Sequence, residues 1–177
     1  MAHFQMIMKL VGGGMALAGG CGCGLWMAAA RKKRICVLRE LEQAMVLMAG
    51  EIEYAAADIL EILEKLAGKT WYLSDFFQSI YEVLAVKEGT GLYEIWRREM
   101  VRSPVYACLE TADREVWQEI GMHLGTLDRQ TQLRTLCILQ ERLQRRIQEA
   151  ENAYHSQARI YRLVGITGGV FTVILLL

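Results

Sequence analysis

From Leu38 onward, apolar positions recur at steps of three and four, through Leu41, Met45, Met48, Ile52, Ala55, Ile59, Ile62 and Leu66, without a slip. That spacing places one side chain per turn on a single stripe of an α-helix, and it excludes the two-residue alternation of a half-buried strand. Within the seam, Tyr54-Ala-Ala-Ala-Asp58 offers a turn, because Asp58 can cap a second helix. Gly68 is expected to close that helix. A third is predicted from Ser74 or Asp75, with Asp75 as its cap, through Phe76, Phe77, Ile80, Val83 and Leu84, until Gly89-Thr90-Gly91 breaks it. Leu92, Ile95, Trp96 and Met100 make a short fourth helix that must end at Ser103-Pro104, since proline disfavours a helical residue before it.

The fifth predicted helix runs from about Thr111 to Leu124 and buries Val116, Trp117, Ile120 and Leu124. Gly125 stops it. Its capping box reads as incomplete, because Arg114 rather than a glutamate follows Thr111 at the third position. The sixth starts near Asp128, a good N-cap, and carries Leu133, Leu136, Gln140, Leu143, Ile147, Ala150 and Tyr154. The fold class expected is all-α: an antiparallel bundle of about six helices, its seams interrupted too often for a long parallel coiled coil.

Two further runs are apolar all round. Leu10 to Ala30 is 21 residues without a charge and Leu163 to Leu177 is another 15. The first is long enough to cross a hydrocarbon core, at ~1.5 Å per residue against ~30 Å. Its seven glycines include the Gly20-x-x-x-Gly24 spacing that suits close packing of membrane helices, and Trp26 suits an interfacial anchor. The C-terminal run covers only ~22 Å, but Arg159 and Arg162 can snorkel to the headgroups and Tyr161 stands where an aromatic belt would. No breaker separates it from the sixth helix, so one continuous helix from Asp128 to Leu177 is possible, 50 residues long. The predicted organisation is a short tail over 1–9, a transmembrane helix over 10–30, a helical domain over 31–162 and a second transmembrane helix over 163–177.

Orientation follows from charge. Lys9 alone precedes the first run, whereas Arg31-Lys32-Lys33-Arg34 follows it, so the positive-inside bias puts the central domain in the cytoplasm. The competing reading is a signal peptide cut after Ala28 or Ala30, which would release a secreted or surface helical binding domain. Four consecutive cations after the run argue against it.

The chain totals 20 basic and 20 acidic side chains, and 31–162 holds 19 and 20 of them, so nucleic acid is not an expected ligand. Cys36, Cys108 and Cys137 lack cysteine or histidine neighbours at ligand spacing and read as reduced and buried; Cys21 and Cys23 are small residues on the first apolar run. His3, His123 and His155 stand far apart, and His123 fits a helix end, where imidazole meets terminal carbonyls. No glycine-rich loop carries a phosphate-binding lysine. Glu51 and Glu53 point about 200° apart on a helix and cannot share a substrate, so they read as solvated or paired. Glu61 and Lys65 form an i, i+4 ion pair, while Arg142, Arg145 and Arg146 beside Glu141, Glu149 and Glu151 make a charge-laced face. No catalytic constellation, cofactor or metal site is expected.

The order of these features resembles the stage III sporulation protein AB family. The resemblance rests on the apolar anchor with its basic flank, Leu41 to Met48 leading into Glu51-Ile52-Glu53-Tyr54, Glu88-Gly89-Thr90-Gly91 with Trp96, and Leu124-Gly125-Thr126-Leu127-Asp128 with Gln132 ahead of a long helix. Relatives often have a proline after Glu-x-x-Tyr, where this chain has Ala55-Ala56-Ala57, which leaves the first turn less sharply specified. The family is similar to the F-type platform proteins of type II secretion, so the resemblance implies a six-helix cytoplasmic bundle. It also implies a place in the channel complex between mother cell and forespore, beside a secretion-type ATPase and other channel proteins. The function expected is a non-enzymatic membrane platform in contact with lipid, with a homo-oligomer as a candidate assembly. Its candidate partner-docking residues are Glu51, Tyr54, Gly125, Asp128 and Gln132.

Overall fold

The computed structural model describes residues 29–55, 58–86, 91–124 and 128–176, with the backbone alone at 55 and 157–176. The described residues are helical and contain no strand. Helix α1 covers 29–50 and continues into a π-helical turn, Glu51–Ala55. It is followed by α2 (Ile59–Lys69), α3 (Ser74–Val86), α4 (Leu92–Arg102), a 3₁₀ turn at Tyr106–Cys108, α5 (Thr111–His123) and α6 (Arg129–Leu176). The all-helical fold class and the six helices are those the apolar spacing predicts.

Two compact units divide the chain. Lys33–Glu151 holds the bundle. In it α3 packs on both α2 and α4, and α4 on α5. Side-chain pairs set the direction of α6: Arg39 and Glu42 of α1 meet Glu151 and Gln144, while Asp113 and Glu119 of α5 meet Arg146 and Arg142. Rising numbers on α1 and α5 meet falling numbers on α6, so both run antiparallel to it. The second unit takes in Met1–Lys32 and Asn152–Leu177, and in its described part the Tyr154 ring stands edge-on to His155 at 5.8 Å. Among the described residues no helix is long and apolar enough to cross a membrane. The predicted spans lie outside the described residues over 10–28, and over 163–176 the structure describes backbone only.

The seams are buried as spaced. Leu38, Leu41, Met45 and Met48 of α1 are all but solvent-free, as are Ile62 and Leu66 of α2, each contributing ~1.5–3 kcal/mol by leaving water. Phe76 packs edge-on against Phe77, Trp96 and Trp117 with centroids 5.1, 4.9 and 4.7 Å away, and the Trp96 indole N–H donates to the Trp117 carbonyl at 3.0 Å. The α4–α5 crossing is close because Gly121 has no side chain: a Cβ there would lie 2.3 Å from the Trp96 ring.

Several boundaries depart from the sequence expectation. Gly68 does not close α2; the helix continues to Lys69 and ends at Thr70, whose N–H and hydroxyl both donate to the Leu66 carbonyl. The start of α3 is held by Glu40 of α1, whose carboxylate accepts the N–H groups of Trp71, Tyr72 and Leu73 at 2.8 to 3.1 Å. Asp75 sits inside the first turn. The N-cap of α5 is Glu110 rather than Thr111, and Asp113 at the third position accepts the Glu110 N–H at 3.0 Å. Cys137 is exposed, and Cys36 and Cys108 are only part-buried, so the apolar seam does not enclose the thiols. Asp58 does cap α2, accepting the Ile59 N–H at 2.7 Å, and α4 ends at Arg102, directly before Ser103-Pro104.

Gly121→Ala should destabilise the bundle by about 1–3 kcal/mol, because Trp96 is enclosed and has no room to retreat. Urea unfolding followed by tryptophan fluorescence would measure it, and an unchanged midpoint would refute the close crossing.

Candidate functional site

The strongest polar constellation in the bundle centres on Asp113, which is fully buried. Arg34 of α1 donates to it through Nε at 2.7 Å and Nη2 at 3.1 Å, and Arg146 of α6 through Nε at 2.9 Å. Both arginines also reach Glu110, Arg34 through Nη1 and Arg146 through Nη2 at 2.9 Å, and Arg146 Nη1 holds Glu149. Two guanidinium forks thus converge on one buried carboxylate and one exposed one, with α5 between the helices that supply them. Burial pushes the Asp113 carboxyl up, but the bonds from Arg34, Arg146 and the Glu110 N–H outweigh it and hold the group below the usual carboxylate range. Burial likewise opposes the charge on Arg146, and its bond to Asp113 carries its pKa above the ordinary value.

This arrangement changes the reading of two charge runs. Arg34, counted among four flanking cations, is 11% exposed and committed to Asp113 across 79 residues of sequence. That leaves Arg31, Lys32 and Lys33 as the cations of this run that form no ion pair among the described residues. On α6, Arg142 pairs with Glu119 of α5 at 2.5 Å and Arg146 with Asp113, so that face joins helices to one another. The Arg142–Glu119 pair is half-exposed and adds only a few tenths of a kcal/mol.

The predicted docking residues fall into two groups. Glu51 lies in the π-helical turn and pairs with Lys65 at 2.8 Å, and Glu61 joins the same ammonium at 2.9 Å, as the i, i+4 spacing predicts. Those two hydrogen bonds raise the Lys65 pKa. Tyr54, in the same turn, is 83% exposed. Asp128 caps α6, accepting the Thr131 N–H at 3.1 Å and its hydroxyl at 2.5 Å, and these bonds hold its carboxyl below the usual range. The Gln132 N–H donates to the Asp128 carbonyl at 2.9 Å, while its side chain is half-buried. Gly125 lies outside the described residues. Among the described residues no hydrogen bond or ion pair joins Glu51 or Tyr54 to Asp128 or Gln132. His123 ends α5, where it was expected.

Among the described residues no cluster of histidine, cysteine and carboxylate groups has the arrangement of a metal site. Sequence reasoning missed one exposed aromatic, Trp71 at 84%, on the corner that Glu40 holds. The adjacent pair Trp71-Tyr72 at a break in the seam was the available signal.

The family model of stage III sporulation protein AB matches residues 9–177, essentially the whole chain. The chain belongs to the stage III sporulation protein AB family. It is accordingly a sporulation-related protein, of a structural sporulation family rather than a known enzyme family. No curated protein and no solved structure matches the chain significantly. For this sporulation protein AB chain, the family match includes both apolar runs and every residue of the Asp113 cluster.

The cluster makes stability pH-dependent with a definite sign. Because the Asp113 pKa is lower folded than unfolded, its contribution is complete above the unfolded carboxylate pKa, about 3.9, and is lost as pH falls through the folded value. Asp113→Asn should cost about 3–5 kcal/mol at neutral pH, since it leaves two part-buried guanidiniums without their shared anion. It should also flatten the loss of stability below about pH 5. Urea denaturation at a series of pH values checks both; an equally steep acid limb in the variant would refute the assignment.

Proposed function

We propose that this chain is a non-enzymatic, membrane-anchored platform subunit of the channel complex between mother cell and forespore, whose bundle lies in the cytoplasm and docks a secretion-type ATPase. The observation that carries this reading is the Asp113 cluster. It bonds α1, which begins where the first apolar run ends in sequence, to α6, which continues into the second. A docking domain held at both ends has to keep a fixed shape under load from either. A short, charged, buried junction between the two end helices resists shear better than a purely apolar contact, which tolerates sliding because it has no direction.

Tyr54 is a largely exposed, large amphipathic side chain of the kind that anchors partners. Glu51 and Asp128 act through it and through the start of α6, one by holding the turn to α2, the other by fixing the first turn of α6. Lipid contacts belong to the two apolar runs.

Crosslinked recovery of the full-length protein from sporulating cells should bring down the ATPase, and Tyr54→Ala should lower that recovery several-fold with an unchanged melting temperature. Failure of the intact protein to recover the ATPase would overturn the docking role. Sidedness is read on Cys137, the exposed thiol: a membrane-impermeant maleimide should modify it only after lysis, with Cys137→Ser as control. Cys108 is a poorer probe, because burial pushes its pKa up and its thiol donates to the Val105 carbonyl. Labelling of Cys137 in intact cells would favour the released, surface-exposed domain instead.

A further inference from the structure

Helix α4 turns Ile95, Trp96, Glu99 and Met100 inward, and its outer face lines an open groove of about 670 Å³ with Glu94, Arg97, Arg98, Val101 and Arg102. Arg98 and Arg102 both donate to the same oxygen of the nearly buried Glu99, at 2.7 and 3.4 Å. Arg97 has no ion pair or hydrogen bond among the described residues. One carboxylate oxygen therefore serves two of three guanidiniums, and the groove keeps a surplus of positive charge around Val101, which is 56% exposed. Arginine is enriched at protein-binding surfaces relative to the rest of the protein exterior.

The opposite charge lies in the same chain. Residues 51–86 carry seven acidic side chains and two basic ones. On α2, Glu61 and Glu64 are exposed one turn apart, and Glu64 has no ion pair or hydrogen bond among the described residues. Helices α2 and α4 both pack on α3, yet among the described residues no ion pair joins them. Glu61 is held by Lys65, and Arg98 and Arg102 by Glu99, so Glu64 on one patch and Arg97 on the other are the charges left without a partner among the described residues.

We propose that the arginine groove of α4 receives the Glu61–Glu64 face of α2 from a second copy of this chain. Two different patches meet in such a contact, so it either closes reciprocally as a two-fold dimer, each copy's groove taking the other's α2 face, or repeats from copy to copy into a ring or row. The contact is separable from ATPase docking through its unpaired charges, Arg97 and Glu64, since neither is a candidate docking residue nor bonded to one.

The test uses the full-length chain in non-ionic detergent and sedimentation velocity at low and high salt. Self-association should be present at ~50 mM salt and much weaker at ~500 mM, where exposed charges are screened. Arg97→Glu, and separately Glu64→Lys, at the two charges without a partner in one copy, should each weaken the association constant by about tenfold while circular dichroism and melting temperature stay unchanged. An equimolar mixture of the two charge-reversed proteins should associate again, because each then offers the other a complementary pair. A monomeric wild type at low salt, reversals without effect, or a mixture that stays dissociated would each overturn the proposal. So would loss of binding to phosphatidylglycerol vesicles on arginine reversal with self-association intact, which would assign the groove to lipid headgroups.

Discussion

Asp113 is a buried carboxylate at the first turn of α5, and its burial would be untenable without cations brought from elsewhere in the chain. Arg34 arrives from one end of the bundle sequence and Arg146 from the other, and each must be within hydrogen-bond reach at the same time. That requirement fixes the register of α1 against α5 and of α6 against α5 together. An apolar interface tolerates a slip of a turn at modest cost, whereas this one leaves a naked charge if either helix shifts. The same carboxylate accepts the Glu110 N–H, so the start of α5 and the placement of its two neighbours are settled by one group.

Around that junction the remaining packing is conventional. The aromatic cluster of Phe76, Phe77, Trp96 and Trp117 fills the space among α3, α4 and α5, and Gly121 sets how near α4 and α5 come. Arg114 lies over the Tyr106 ring at 4.2 Å and donates to its carbonyl, which steadies the connection between those helices. The bundle thereby carries a directional, charged seam joining its first and last helices to α5, and a dense aromatic cluster among α3, α4 and α5. Those first and last helices are also the two that continue in sequence toward the apolar runs.

How much of this is readable from residues alone depends on the range of the interaction. The three-and-four spacing of Leu38, Leu41, Met45 and Met48 is a local signal, and burial follows it closely. Asp58 before Ile59 and Ser103 before Pro104 act on their immediate neighbours and placed helix ends correctly. Glycine alone was a weaker guide: Gly68 has open space around it and its helix does not stop there. The partners of Arg34 could not be seen, because 79 residues separate it from Asp113 and a basic run beside an apolar segment already had a sufficient explanation. The candidate docking residues divide the same way, with Asp128 capping its own helix as its type and position suggest, and Glu51 tied to Lys65 by a fold-back that no local rule anticipates.

The grip of Glu40 on the N–H groups of residues 71–73 has a kinetic consequence. These are the backbone donors of the corner that leads into α3, and their acceptor comes from a residue more than thirty positions earlier, on a different helix. A chain emerging in order makes α1 first, but α1 gains nothing from Glu40 until the corner at Trp71 has formed and folded back. Helix α3 in turn starts poorly without it. The first three helices are therefore coupled into one cooperative unit, and a fragment that begins at α2 keeps the corner at Trp71 but lacks the carboxylate that holds it.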